Sequence, residues 1–203
     1  MRVTLIDYGA GNATSVERAL HRLGVQSIRS SAPECIANAE ALVLPGVGHF
    51  AALVRALDER SLRAPLLDAF ARGVPFLGIC LGLQALYETS DEAPELRGLG
   101  VFPGNVRALP STVKLPHMGW NQVRTERASR LLQGVDPHAY FYFAHSYAAA
   151  NREGNKEIAA TCSHGSEFVA VLESENIFAV QFHPEKSGLA GARLLQNFQR
   201  LAA

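Results

Sequence analysis

Short strand-like runs and longer helical patterns alternate through the first eighty residues. Val3 to Ile6, Val25 to Arg29, Ala41 to Leu44 and Pro75 to Ile79 read as strands, and the first is apolar apart from Thr4, as a strand covered on both faces would be. Between them, Thr14-Ser15-Val16-Glu17 has the spacing of a capping box, opening a helix that carries Val16, Leu20 and Leu23 on one face and stops at Gly24. Further helices are predicted over His49 to Arg60 and Leu62 to Arg72. Strands separated by helices imply a parallel, doubly wound sheet with ligands at the carboxyl ends of its strands. The Asp7 loop, the Pro45 loop and the turn at Cys80 all fall at that edge.

Beyond Tyr87 the texture changes. Ala93-Pro94, Phe102-Pro103-Gly104, Leu109-Pro110, Leu115-Pro116 and Asp136-Pro137 interrupt short strand-like runs, which predicts an antiparallel extension and not a second domain. Ala139 to Ala144 is an aromatic strand, Glu157 to Cys162 and Glu167 to Leu172 form a hairpin around Gly165, and Asn176 to Phe182 is the last strand before a helix over Leu189 to Leu201. The expected architecture is therefore a three-layer α/β domain spanning 1–203, its central twisted sheet mostly parallel with an antiparallel extension.

Composition narrows the function. The chain has 203 residues, 48% hydrophobic and 19% charged, with 19 basic against 19 acidic side chains. Such a chain suits a full core, and its balanced charge gives no field for nucleic acid or an anionic membrane. No run is long enough to span a bilayer, and nothing reads as an export signal. The 3 cysteines, Cys35, Cys80 and Cys162, lack metal-type spacing and fit a reducing cytoplasm, with no disulfide framework, metal or cofactor expected.

One of those cysteines sits in Gly78-Ile79-Cys80-Leu81-Gly82, the pattern of a nucleophile elbow, in which flanking glycines permit a sharp strand-to-helix turn. Leu83 to Tyr87 is a good helix former, so Cys80 is predicted at a helix N-terminus, where a thiolate is favoured. A buried structural cysteine at a strand end is the competing reading. The partner decides between them. In Gln181-Phe182-His183-Pro184-Glu185, the residue before proline is biased to extended backbone, and residues two apart on an extended segment point the same way. Glu185 can then orient the imidazole of His183 toward the thiol, giving a Cys-His-Glu triad for acyl transfer. Gly9-Ala10-Gly11 after a strand suggests a dinucleotide loop, but the third glycine of that motif would fall on Thr14 and the second strand ends without an acidic ribose ligand. In Pro45-Gly46-Val47-Gly48, backbone amides can be aimed at an oxyanion, although on these four residues alone an ordinary strand-to-helix turn is the favoured reading. Trp120, the only tryptophan, lies in Lys114 to Asn121 beside a histidine and a methionine and reads as a core residue under a loop or an interface anchor. His21, His49, His138 and His164 read as structural or surface residues.

Taken together, these segments resemble the class I (triad) glutamine amidotransferases, whose fold is flavodoxin-like, and among them the glutaminase subunits of imidazole glycerol phosphate synthase in histidine biosynthesis. The Pro45 loop, the Gly78 to Gln84 elbow and His183-Pro184-Glu185 carry the likeness to the class. Asp7 to Asn12, Pro116-His117-Met118-Gly119-Trp120-Asn121, His145-Ser146-Tyr147 and Lys186-Ser187 carry the likeness to the branch. The resemblance implies that Cys80 attacks the side-chain amide of L-glutamine, with His183 as base and acid and Glu185 holding the imidazole. It implies an oxyanion hole from the N–H of Leu81 and an N–H of the Gly46-Val47-Gly48 loop, Val47 or Gly48. Gly46, Gln84, Ser146 and Tyr147 become glutamine-binding groups. Asn12, Trp120 and Lys186 would face a (β/α)8-barrel cyclase subunit, which receives the ammonia through a channel in a heterodimer and raises an otherwise weak glutamine hydrolysis. Other class I subunits, and a free-standing cysteine hydrolase of this fold, are the alternatives.

Overall fold

In a computed structural model, residues 2–9, 12–151 and 154–203 are described. The first half runs β1 (Arg2–Ile6), α1 (Ala13–Arg22), β2 (Gln26–Ser30), α2 (Pro33–Ala37), β3 (Ala41–Gly46), α3 (Phe50–Glu59), α4 (Arg63–Ala71) and β4 (Phe76–Cys80). After the elbow come α5 (Leu81–Gln84), β5 (Tyr87–Ser90), β6 (Phe102–Ala108), β7 (His117–Gln122), β8 (Arg124–Thr125), β9 (Tyr140–His145), β10 (Tyr147–Ala149), β11 (Ile158–His164), β12 (Ser166–Ser174), β13 (Ile177–Val180) and α6 (Gly188–Leu201).

The main sheet has 8 strands in the order β2-β1-β3-β4-β13-β12-β11-β8. From β2 to β13 all neighbours are parallel; β12, β11 and β8 extend the sheet antiparallel. Alternation decides the layers. Ile6, Leu42, Leu44 and Phe76 enter one core with α3 and α4, whereas Val3, Leu5, Val43, Leu77 and Ile79 enter the other with α1 and α6. Strands buried on both faces have no polar side, which is why their sequences are apolar at nearly every position, Thr4 of β1 being a buried exception. The hairpin turns at Gly165, whose φ is 73°. Two smaller sheets, β10-β6-β5 and β7-β9, lie outside the main one. The antiparallel extension is as expected, but β5 and β6 pair in parallel.

Three local expectations change. Helix α1 begins one residue before Thr14, with Asn12 at its N-cap and no side-chain cap bond. Thr14 and Glu17 both serve Arg29 on β2, Thr14 Oγ1 accepting at 2.9 Å, so tertiary pairing replaces the capping box. Of the dinucleotide-like loop, Ala10 and Gly11 lie outside the described residues. The helix after the elbow is a single turn: the backbones of Leu99, Val101 and Phe102 donate to the carbonyls of Ala85 and Leu86, and Tyr87 already starts β5. The helix-dipole contribution expected at Cys80 is correspondingly that of one turn only. Finally, strand β3 continues through Pro45 and Gly46, and the segment Pro33–Ala37, which carries no strong helical pattern, forms a short helix with its proline in the first turn.

Candidate active site

Strand β4 delivers Cys80 at φ 54° and ψ −105°, a positive φ that a non-glycine residue adopts only when its surroundings enforce it. The surroundings are a close backbone crossing. A Cβ on Gly78 would lie 2.7 Å from the Gly82 carbonyl oxygen, and one on Gly46 would lie 2.5 Å from Leu81 Cβ. Only glycines let β3 and the turn after Cys80 approach this closely.

Around the thiol lies a cavity of about 160 Å³, walled by the Val47–Gly48 loop, Leu81, Gln84, Glu92, the segment Ala144 to Tyr147, His183 and Lys186. The expected site residues Val47, Gly48, Leu81, Gln84, Ser146 and Tyr147 are thus brought together with Cys80. Gly46 is not on the wall. It is a fully buried strand residue packed beneath the elbow, where its role is close approach. The Val47 carbonyl accepts a hydrogen bond from Tyr8 Oη at 3.5 Å. Burial, above all, pushes the Tyr8 phenol up to about 12, keeping that donor protonated.

His183 reaches the site by a route different from the expected one. Its own backbone is extended, but Pro184–Lys186 forms a 3₁₀ turn, because proline with its fixed φ starts such a turn well. Glu185 nevertheless meets the imidazole, Nδ1 lying 2.9 Å from Oε1. Ser187 locks the turn: its hydroxyl donates to the His183 carbonyl at 2.6 Å and accepts the Tyr142 N–H at 3.0 Å, while His183 N–H donates to the Tyr142 carbonyl. Burial pushes the imidazole's pKa down, but hydrogen bonds with Cys80 and Glu185 and their charges outweigh it and raise the group to about 10. An imidazole that holds its proton beside a thiol is the partner a nucleophilic cysteine requires.

Asn12, expected to face a partner, donates to Glu185 Oε1 at 3.3 Å. Trp120 stands 55% exposed, edge-on to Tyr142, whose other neighbours are His183 and the Lys186 ammonium 5.3 Å from its ring. Tryptophan and lysine therefore converge on one exposed patch next to the triad, which decides against a core role for Trp120.

Two groups escaped the sequence. Gln181 is completely buried, accepts from Gln84 Nε2 at 3.2 Å and donates to Cys80 Sγ at 3.4 Å. It stands two residues before His183, just past the end of β13, and that proximity along the chain was the available signal. Glu92 lies in a turn-rich stretch with no such signal; its Oε2 accepts the Phe50 N–H at 2.7 Å and its side chain lines the cavity.

The model of the family described as "Glutamine amidotransferase class-I" matches residues 4–201. A curated relative, "Imidazole glycerol phosphate synthase subunit HisH" of Salinibacter ruber, is 44% identical over 98% of this chain and 94% of its own. One of the same name from Methanothermobacter thermautotrophicus is 46% identical over 97% of this chain and 96% of its own. Among solved structures, a crystal structure of a glutamine amidotransferase superposes with a TM-score of 0.78 over 98% of both chains at 20% identity, which bears on the fold alone.

Proposed function

The chain belongs to the class I glutamine amidotransferase family, and from that premise we propose that Cys80, His183 and Glu185 are its catalytic triad. Its function is that of the glutaminase subunit of an imidazole glycerol phosphate synthase, hydrolysing glutamine to glutamate and ammonia. The observation that carries the triad is the pairing of His183 Nδ1 with Glu185 at 2.9 Å beside a thiol held at positive φ.

With His183 already holding the proton, Sγ adds as the thiolate to the side-chain carbonyl carbon of glutamine. The tetrahedral oxyanion is met by the N–H of Leu81 and by a backbone N–H from Val47 or Gly48. With the Val47 carbonyl engaged by Tyr8, a rotation of that peptide is a natural on-switch for the second donor. His183 next returns its proton to the leaving ammonia, leaving a glutamyl thioester that water hydrolyses. Both hydrogens of the Gln84 amide are committed, to Tyr147 O at 2.7 Å and to Gln181, so Gln84 shapes the pocket and offers substrate only its oxygen. Ser146 and Tyr147 line the glutamine pocket, and the Glu92 carboxylate on the same wall receives the α-ammonium.

The partner is a barrel cyclase subunit, docked in a heterodimer on the patch of Trp120 and Lys186 with Asn12 beside it, and it takes the ammonia through a channel. No described helix is long and apolar enough to cross a membrane, and the free cysteines suit the cytoplasm in which we place the single 1–203 domain.

Replacing Cys80 tests the assignment. Cys80→Ser or Cys80→Ala should lower glutamine-dependent synthesis by the complex by at least about 10³-fold while ammonia-dependent synthesis persists. Loss of both together would assign Cys80 to structure or docking.

A further inference from the structure

Two buried imidazoles next to the site take part in none of these steps. His117 on β7 and His145 at the end of β9 stand opposite each other in the strand pair, with His117 Nδ1 3.1 Å from His145 Nε2. His145 Nδ1 is 2.9 Å from the carbonyl oxygen of Tyr147. At the other end, Asn121 Nδ2 lies 3.3 Å from His117 Nε2 and 3.1 Å from the carbonyl oxygen of Ser163.

Both ends of this chain are backbone carbonyls, which only accept, and that fixes every proton between them. Facing Tyr147 O, His145 Nδ1 must carry hydrogen, so in a neutral ring Nε2 accepts. His117 Nδ1 must then donate to it, and His117 Nε2 accepts. It receives from Asn121, whose amide orientation is set independently by Ser163 O and by the Gln122 N–H bonded to Asn121 Oδ1. Beyond Tyr147 the same logic continues: Gln84 Nε2 donates to Tyr147 O and to Gln181 Oε1, which leaves Gln181 Nε2 to donate to Cys80 Sγ.

We propose that His117 and His145 are positioning residues for glutamine hydrolysis: a pair of neutral, Nδ1-protonated imidazoles that fixes the Tyr147 carbonyl and, through Gln84 and Gln181, the direction of the Cys80 sulfur. The proposal rests on the glutaminase reading above. A proton added to either ring would set N–H against N–H at one link. The structure discourages that proton. His117 is sandwiched between the rings of Phe143 at 4.8 Å and His164 at 4.2 Å. Burial, helped by His164, pushes its pKa down to about 4. Burial likewise pushes His145 to about 3, against its bond to Tyr147 and together with the nearby rings of His117, His183 and His164.

Nitrogen-15 NMR of the histidine-labelled wild-type chain at pH 7 reads the tautomers directly, with the His117→Phe variant identifying the His117 signals and His145→Asn those of His145. Both rings should be neutral with hydrogen on Nδ1; a charged ring or an Nε2–H tautomer at either position overturns the proposal. In the complex with the barrel cyclase, His117→Phe keeps the ring stack but removes the chain, and kcat/KM for glutamine should fall about 10–100-fold, the usual cost of losing a group that orients a site residue. Ammonia-dependent synthesis should stay at the wild-type rate. His117→Asn, whose amide nitrogen takes the place of Nδ1, should recover most of the loss. Full activity of His117→Phe, equal damage in both variants, or a parallel fall with ammonia would each overturn the proposal. A wild-type complex that fails to hydrolyse glutamine would instead break the glutaminase reading, whatever the tautomers.

Discussion

The sulfur of Cys80 is approached from two sides built on opposite principles. On one side, His183 and Glu185 form a charged pair: Oε1 of Glu185 meets both His183 and Asn12, and Oε2 is buried with no partner among the described residues. On the other, Gln181, Gln84, Tyr147, His145 and His117 form a neutral chain in which each donor meets an acceptor. A charged pair with an unsatisfied oxygen can change its proton content during turnover. A closed neutral chain cannot do so without breaking a link, so its use is to hold direction. In the proposed mechanism one side moves protons and the other aims the sulfur.

The charged side depends most on Glu185. Glu185→Gln keeps the shape but removes the charge that stabilises the imidazolium, and its amide can force the wrong tautomer on His183. The expected loss in kcat is about 10³–10⁴-fold, with KM little changed, measured as glutamate release by the complex. A loss below tenfold would mean that the imidazole is oriented by other groups and that the two sides do not divide the work as described.

Gln181 sharpens the comparison from the neutral side. Gln181→Leu removes the donor to Sγ and leaves a Gln84 N–H buried without an acceptor, which should lower kcat/KM about 10–100-fold, comparable to losing a group that orients the site. Gln181→Glu has nearly the same shape but turns an acceptor toward the sulfur and should be the worse of the two. Equal activity of the two variants would show that the Gln181 amide only fills space.

How much of this was legible follows from how local each feature is. The elbow could be read because its cause is local: glycines two residues either side of Cys80 are what the close crossing of β3 and the turn demands. The parallel strands were legible because burial on both faces leaves no polar alternation in Leu42 to Leu44 or Phe76 to Ile79. His183 and Glu185 were recognisable as a pair, although the 3₁₀ turn that joins them was not, since Ser187 and Tyr142 fix it from another strand. The single-turn α5 was misjudged for the same kind of reason, because the residues that end it come from Leu99 to Phe102. The His117–His145 contact depends on the register of β7 against β9, with His117 opposite His145, and spacing along the chain carries no trace of it.

The smallest effect tests both sides at once, through the pH dependence of stability. His183 has its folded pKa raised, so the folded state holds a proton that the unfolded chain releases near pH 6.5. That contribution is complete below about 6.5 and is lost as pH rises toward about 10. His117 and His145 have theirs lowered, so the unfolded chain binds the protons first. Their contribution is complete above about 6.5 and is lost as pH falls toward about 4 and then about 3. Thermal stability should therefore fall in both directions from near neutrality. For a chain of this size each 1 kcal/mol moves Tm by about 2–4 °C. Glu185→Gln should flatten the alkaline limb and leave the acid limb, whereas His117→Phe should flatten the stretch between pH 6.5 and about 4 and leave the alkaline limb. The carboxylate of Glu173 does not confuse the reading. Although burial opposes it, hydrogen bonds from Arg130, Ser129 and the Leu131 N–H hold its pKa below the ordinary 4.5, so its own contribution begins to be lost only as pH falls to that value, at the lower end of the window. Variants that flatten both limbs alike would show that the two sides titrate as one network, and the division of labour at Cys80 would have to be abandoned.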